Sequence, residues 1–317
     1  MKVDIVVCTY NRSALLGKCI QSVLGCALPV GVAAELIVVD NNSSDGTEAV
    51  VRGFEGTGAI KVTYLLERTQ GKSHALNRAL AAVNGDIVAF IDDDVTVEGS
   101  WLSKIAEAAG KYPLCGAFGG KIVALYPEKM PGWLDIEGSM KFLKSVYVDL
   151  DNGDKALEYG KGTVSNTPCG ANMFFRMEAL ERNGPFRTDL GPTGRELGFS
   201  EDTEFCKRFA DRGEVSMYMP EVVVYHPVHS ERLEKEYLLK WLYRCGKSEV
   251  RRTGGYAGMT KAFGVPRYIF RKVIQHGAGS IFSLSERTRL YHRLRLYYAA
   301  GEMVEHLMVN SGPTRPS

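Results

Sequence analysis

Four short apolar runs occupy the first hundred residues of the chain: Val3 to Thr9, Leu36 to Asp40, Ile60 to Leu66 and Asp86 to Ile91. They are rich in Val and Ile, they end in polar residues, and helical patterns separate them. That alternation is the signature of βαβ units built around a parallel sheet. The intervening helices read as Ser13 to Leu24, where Leu15, Leu16, Cys19, Ile20 and Val23 recur at helical spacing, then Gly46 to Phe54 and Ser73 to Val83. Polar strand ends have a physical reason in such a sheet, because ligands bind in the crevice beyond the carboxyl ends of its strands.

From Gly116 to Pro227 the pattern changes. Glycine-rich loops at Gly153 to Gly170 and Gly184 to Gly198 separate shorter strand candidates, Asn172 to Arg176 and Glu221 to His226. Loops of this length carry function or act as lids, and the second is expected to be a mobile substrate-binding lid. Beyond His229 the chain is almost wholly helical, with helices expected at Glu231 to Arg251, Val265 to Ile274 and Ser285 to Met308, and a loose tail at Ser311 to Ser317. The expected division is therefore an α/β domain over 1–230, itself in two halves meeting near residue 115, and a helical extension over 231–317. A length of 317 residues suits this, since one hydrophobic core stops growing at about 250 to 300 residues.

Thirty-nine Lys and Arg against 37 Asp and Glu leave a net charge of +2, which excludes a polycation built to neutralise nucleic-acid phosphates. The seven cysteines are odd in number and scattered, with no Cys-x-x-Cys pair, arguing against a disulfide framework or a structural zinc and for a reducing compartment. Residue 2 already opens a strand-like run, and no apolar stretch approaches the ~18 residues of a membrane span. A cytoplasmic protein is expected, soluble or peripheral on the cytoplasmic face of the membrane.

The sharpest chemical signal is Asp92-Asp93-Asp94, directly after the strand Ile87 to Ile91. Side chains two apart on an extended chain point the same way, so Asp92 and Asp94 can face one ligand. Their hard oxygens suit Mg²⁺ or Mn²⁺ shared with a substrate phosphate; read alone, the triplet is equally a solvated acidic turn. Glu201-Asp202 follows Ser200 and opens a helix through Phe205, Phe209 and Arg212. This pair is either a capped, dipole-favoured helix start or a catalytic carboxylate under the preceding loop. His226 and His229, at the end of Val222 to Tyr225, can complete a metal site or be structural. Asp40 can bond a ribose or base, while Asp45 or Thr47 can cap the next helix. Trp133 can stack on a sugar ring or anchor a loop.

Taken in order, these features resemble the family 2 glycosyltransferases. The resemblance rests on Val6-Val7-Cys8-Thr9-Tyr10-Asn11-Arg12, Val38-Val39-Asp40-Asn41-Asn42-Ser43-Ser44-Asp45-Gly46-Thr47, Gly71-Lys72-Ser73-His74-Ala75-Leu76-Asn77 and Phe90-Ile91-Asp92-Asp93-Asp94. It continues through Cys169-Gly170-Ala171-Asn172-Met173, Glu201-Asp202-Thr203-Glu204-Phe205 and Tyr225-His226, covering about residues 1–230 and leaving out the helical extension. It implies a GT-A type fold, in which a Rossmann-like nucleotide-binding half joins an acceptor-binding half. It also implies transfer of a sugar, with inversion, from a nucleoside diphosphate donor, with UDP expected, to a glycan or lipid-linked acceptor. Carried over by position, Thr9, Tyr10, Asn11, Arg12, Asp40, Asn42, Lys72, Asp92 and Asp93 would contact the donor, and Asp94 with His226 would hold Mn²⁺ or Mg²⁺. Asp202 would be the base, with Trp133 and Glu201 on the acceptor.

The competing readings are a nucleotide-sugar-binding protein without transfer activity and a metal-dependent nucleotidyltransferase. The second would be expected to carry a glycine-rich phosphate loop after the first strand, where Thr9-Tyr10-Asn11-Arg12 stands, and a dinucleotide dehydrogenase would carry Gly-x-Gly-x-x-Gly there. A non-catalytic relative would have lost an acid of the triplet or Asp202. In the extension, Arg267, Arg271, Lys272, Arg287, Arg289, Arg293 and Arg295 accompany an apolar stripe of Leu290, Leu294, Tyr297, Val304 and Met308. That pattern fits either packing on the rest of the protein or contact with an anionic membrane.

Overall fold

The computed structural model describes residues 1–161, 167–194, 196–255 and 258–311. From residue 312 on, the expected loose tail lies outside the described residues. The chain forms two compact units, the first comprising Met1–Leu125, Val148–Arg195 and Glu201–Pro227, the second Tyr126–Tyr147, Glu196–Ser200 and Val228–Ser317. Segments 126–147 and 196–200 thus group with the C-terminal helices instead of with their sequence neighbours.

The first unit begins β1 (Lys2–Thr9), α1 (Ser13–Leu24), β2 (Ala33–Asp40), α2 (Thr47–Arg52), β3 (Lys61–Leu66), α3 (Lys72–Leu80) and β4 (Ile87–Asp92). It continues β5 (Thr96–Val97), α4 (Trp101–Lys111), β6 (Ala117–Leu125), β7 (Leu157–Glu158), β8 (Asn172–Arg176), α5 (Met177–Asn183), α6 (Glu201–Asp211) and β9 (Ser216–Pro227). Nine strands make one sheet in the order β3-β2-β1-β4-β8-β6-β9-β5, with β7 on β9. The β3-β2-β1-β4 part is parallel, as the βαβ alternation requires. Strand β8 then runs antiparallel to both β4 and β6, and β9 returns parallel to β6.

Both faces of this sheet are covered, which is why its strands read as continuous apolar runs. Val3, Ile5, Val7, Leu36, Val38, Ile87 and Ala89 point to the face packed by α1 and α4 through Leu16, Ile20, Trp101 and Ile105. Val6, Ile37, Val39, Val88 and Phe90 point to the other, packed by α3, α5 and α6 through Leu76, Leu180, Phe205 and Phe209. The period-two alternation of a strand decides which residue goes where.

Strand β9 starts at Ser216, five residues before the expected Glu221. Its register on β6 shifts between Gly120 and Lys121, so Ser216–Met219 and Val223–Pro227 pair as two stretches on either side of Pro220. That proline, which cannot donate to a ladder, hid the first stretch.

The second unit holds α7 (Lys235–Thr253), the hairpin β10 (Lys261–Ala262) and β11 (Val265–Pro266), α8 (Arg267–Phe282) and α9 (Glu286–Ser311). Helices α7 and α9 approach at Gly246 and Gly301, where an added Cβ would overlap Tyr298 O and Tyr243 O respectively. The α9 stripe expected from sequence needs correction. Leu290, Leu294 and Ala299 are buried, but the buried line continues through Glu302, Glu305 and His306, while Tyr297 and Met308 are exposed. Ion pairs make this possible: Lys272 meets Glu302 at 3.0 Å, and Arg251 meets Glu305 at 2.6 Å. No helix among the described residues is long and apolar enough to cross a membrane.

Candidate functional site

Strands β1, β2 and β4 end level with one another, since Thr9 pairs with Asp40 and Cys8 with Asp92. Their polar ends and the first turn of α3, at Lys72, therefore meet at one edge of the sheet. Helix α6 is brought to the same edge by an aromatic cluster. Phe186 stacks on Phe205 with centroids 3.8 Å apart, Phe205 meets Phe175 edge-on at 5.7 Å, and Phe175 meets Phe90 of β4 at 5.9 Å. With α6 so fixed, its opening residues join a pocket lined by Cys8, Lys72, Asp92, Gly170, Glu201 and Asp202.

Lys72 is the hub of this pocket, its Nζ lying 2.7 Å from Asp92 Oδ1 and 3.4 Å from Glu201 Oε1. Burial would lower its pKa, but Asp92 and Glu201 more than offset this and hold the ammonium charged. Burial would raise Asp92, and the Lys72 ammonium instead keeps it below the usual carboxylate value. Glu201 has only the longer contact with Lys72, so burial wins and pushes its carboxyl up to about 7. Asp93 is likewise pushed up to about 6 by burial, although Arg12 Nη1 lies 3.0 Å away and Thr9 Oγ1 donates to it at 2.7 Å. The Cys8 thiol, pushed up to about 12 by burial, stays protonated at neutral pH. Asp202 is aimed by backbone donors: Gly170 N at 2.8 Å on Oδ2 and Thr203 N at 2.6 Å on Oδ1. A Cβ on Gly170 would stand 3.1 Å from that Oδ2, so glycine lets the loop close on the carboxylate.

Asp92, Asp94 and His226 present one donor atom each, all within 4.8 Å of one another. His226 Nε2 lies 3.5 Å from Asp94 Oδ1, and Arg12 Nη1 lies 3.1 Å from Asp94 Oδ2. Two carboxylate oxygens and an imidazole nitrogen are donors that Mg²⁺ or Mn²⁺ accepts, and atoms this close could share one such ion after small side-chain adjustments. Asp92, assigned from sequence to the donor, thus stands in the same group as Asp94 and His226. His229 falls in the second unit, outside this group.

The remaining candidates divide between the site and its scaffold. Asp40 accepts hydrogen bonds from Tyr64 Oη at 2.9 Å and Ser43 N at 2.9 Å. Asn11 and Asn42 have positive φ, 53° and 65°, at the exits of β1 and β2, a conformation asparagine tolerates. Asn11 Oδ1 accepts from Ser44 N at 2.7 Å, so its side chain ties two loops together. Tyr10, half-buried, follows β1. Asp45 accepts from Ser13 N and Thr47 N, serving the starts of both α1 and α2. Ser200, expected to cap α6, instead has φ 75°. Trp133 belongs to the second unit, where Lys235 Nζ lies 5.6 Å from its ring centroid.

Sequence reasoning missed Asn41, Tyr64, Cys8 and Gly170. Asn41 Oδ1 accepts from Gly71 N at 2.7 Å and its Nδ2 donates to Thr69 O at 2.7 Å, fixing the turn that presents Lys72. Its place beside Asp40 at a strand end marks it as a site neighbour, but its partner, the Gly71 turn, is not apparent from sequence. The glycine-rich loop expected to be a mobile lid is stitched to α3 over its described part. Asn77 exchanges two hydrogen bonds with the Phe186 backbone, Ser73 Oγ donates to Leu190 O, and Lys72 N donates to Pro192 O.

Residues 4–184 match the family described as Glycosyl transferase family 2. The chain is 29% identical over 252 residues to the succinoglycan biosynthesis protein ExoM of Rhizobium meliloti (strain 1021), covering 79% of this chain and 75% of that protein. The mannosyltransferase PcManGT from Pyrobaculum calidifontis, solved in complex with GDP-Man and Mn²⁺, has a similar fold. Its TM-score is 0.64 at 20% identity, over 98% of this chain and 88% of that one. S. aureus TarS 1-349 in complex with UDP superposes at a TM-score of 0.55 and 18% identity, over 99% of this chain and 93% of that one.

Proposed function

Since the chain belongs to glycosyl transferase family 2, we propose that it moves a sugar, with inversion, from a uridine diphosphate sugar to a hydroxyl of a glycan or lipid-linked acceptor in cell-envelope glycan synthesis. The observation that carries this reading is the meeting in one pocket of a fixed carboxylate, Asp202, and a half-buried cation, Lys72, with Lys72 bound to one member of the Asp92, Asp94 and His226 group. A base and a cationic phosphate site side by side are what displacement at an anomeric carbon needs. The relatives' names supply the substrate class: one makes a polysaccharide, one structure holds UDP and another GDP-Man with Mn²⁺.

Asp92, Asp94 and His226 would hold Mn²⁺ or Mg²⁺, which supplies a Lewis acid for the charge on the departing diphosphate. Thr9, Tyr10, Arg12, Asp40, Asn42, Lys72 and Asp93 border the proposed donor site, with Asp40 at the nucleoside and the Lys72 ammonium at the diphosphate. Asn11 acts there through the loop it ties. Asp202 takes the proton of the acceptor hydroxyl as the new oxygen–carbon bond forms. The bond from the anomeric carbon to the phosphate oxygen breaks, and its electron pair leaves with the diphosphate. Glu201, beside Asp202, is the proposed acceptor contact.

Nucleotide release from UDP- and GDP-sugars, measured with Mn²⁺ and a saccharide acceptor and with the product anomer assigned by NMR, tests this. UDP release with inversion is expected. Asp202→Asn should keep donor affinity and lose about 10²- to 10⁴-fold in rate. An Asp202→Asn protein as active as wild type would remove the base, and neither release nor binding of any nucleotide would remove the whole reading.

A further inference from the structure

Helix α8 turns its polar side inward. Toward its helical neighbours it presents Lys272, whose Nζ pairs with Glu302 at 3.0 Å, Tyr268, whose Oη donates to Glu302 at 3.4 Å, and His276, whose Nδ1 lies 3.0 Å from Nδ1 of His292. Of its 16 residues only Ile269 and His276 are buried. The outward side carries Arg267, Arg271 and Gln275 and is otherwise apolar. Ile274, Ile281 and Phe282 are 72%, 71% and 78% exposed, and Leu284, just past the helix end, is 98% exposed.

Positions 267, 271, 274, 278 and 282 recur at helical spacing and form one stripe. It runs from Arg267 and Arg271 through Ile274 and Ala278 to Phe282, with Ile281 beside it, and all of these side chains are exposed. The segment Arg267–Phe282 contains no acidic residue, and no carboxylate pairs with Arg267 or Arg271 among the described residues. A helix that faces water puts its apolar side inward. One with polar groups inward and isoleucine, phenylalanine and arginine outward suits the boundary of a lipid leaflet.

The geometry points to this face of α8 as a membrane-docking surface: Ile274, Ile281, Phe282 and Leu284 enter the boundary of an anionic leaflet while Arg267 and Arg271 meet its headgroups. Charge selects the lipid over a second copy of the chain. A two-fold contact would bring the same arginine-bearing stripe onto itself without a carboxylate to offset it. Anionic lipid supplies the missing charge. The apolar side of the membrane contact, read from sequence as the α9 stripe, is thus assigned to α8, beside two of the arginines in that reading. The inference rests on the proposed transferase only for its purpose, which is to bring the site to an acceptor carried on lipid.

Flotation of the full chain with phosphatidylcholine vesicles, and with vesicles mixed with phosphatidylglycerol, tests the surface. Wild type should float with the mixed vesicles, less so as salt rises. The triple variant Ile281→Ser, Phe282→Ser, Leu284→Ser and the double variant Arg267→Gln, Arg271→Gln should each lower the bound-to-free ratio by about tenfold or more. All five side chains are exposed, and an unchanged thermal midpoint will show that the variants fold. Wild type floating with neither vesicle, or the triple variant floating like wild type, would overturn the inference. So would a concentration-dependent dimer in light scattering that the triple variant abolishes, which would give the face to a second copy. Donor turnover in solution is read separately, so a protein that turns over UDP-sugar but does not float loses only the docking surface.

Discussion

Lys72 serves two carboxylates unequally, and the inequality makes a testable difference. Asp92, at 2.7 Å, stays ionised, while Glu201, at 3.4 Å and buried, is pushed from the ordinary 4.5 to about 7. Below pH 4.5 folded and unfolded chains both hold the Glu201 proton. Between there and about 7 the unfolded chain releases it first, so rising pH subtracts stability, on the order of 3 kcal/mol in all. Glu201→Gln should therefore gain thermal midpoint relative to wild type as pH rises from 5 to 8. A pH-independent difference in thermal scans would show that Glu201 ionises normally. The carboxylates of the site were legible in sequence because they stand at element ends: Asp92 to Asp94 where β4 stops, Glu201 and Asp202 where α6 starts. Tyr64 and Asn41 were not. Their partners, Asp40 and the Gly71 turn, become neighbours only once the strands pair.

At the scale of elements, Asn172 joins β6, β8, β9 and α4. Its Oδ1 accepts from Trp101 Nε1 at 3.1 Å, and its Nδ2 donates to Lys121 O at 3.0 Å and Val222 O at 2.8 Å. Gly120 leaves room for it, since a Cβ there would overlap Asn172 Nδ2. Asn172→Ala would strand three partners, two of them in buried hydrogen bonds, and about 2–4 kcal/mol of stability should be lost in urea unfolding. A loss below about 1 kcal/mol would show the sheet tolerates their desolvation. The parallel half of the sheet was readable because each of its strands carries a full apolar run and a following helix. The other half was not, because β8 enters antiparallel by a pairing that no local pattern encodes. Helix α8 was read short, ending at Ile274, since Gly277 and Gly279 interrupt its pattern. Gly279 is used for packing: a Cβ there would stand 2.5 Å from the His292 ring.

For the whole molecule, one unit carries the sheet edge and its carboxylates, and the other carries α7, α8 and α9 with ion pairs in which only the glutamates are buried. The order of motifs pointed to the first unit. The helical unit has no such motif, and its outward apolar face emerged only from the packing of α8 on α9. The central claim is that the sheet edge binds a nucleoside diphosphate together with a divalent ion held by Asp92, Asp94 and His226. Calorimetric titration of UDP into the protein with Mn²⁺ and with chelator, for wild type and Asp94→Asn, measures this directly. Wild type should bind UDP at least about tenfold more tightly with Mn²⁺, and Asp94→Asn should lose that difference. Equal affinity with and without the ion, unchanged in Asp94→Asn, would contradict metal-assisted donor binding at this site.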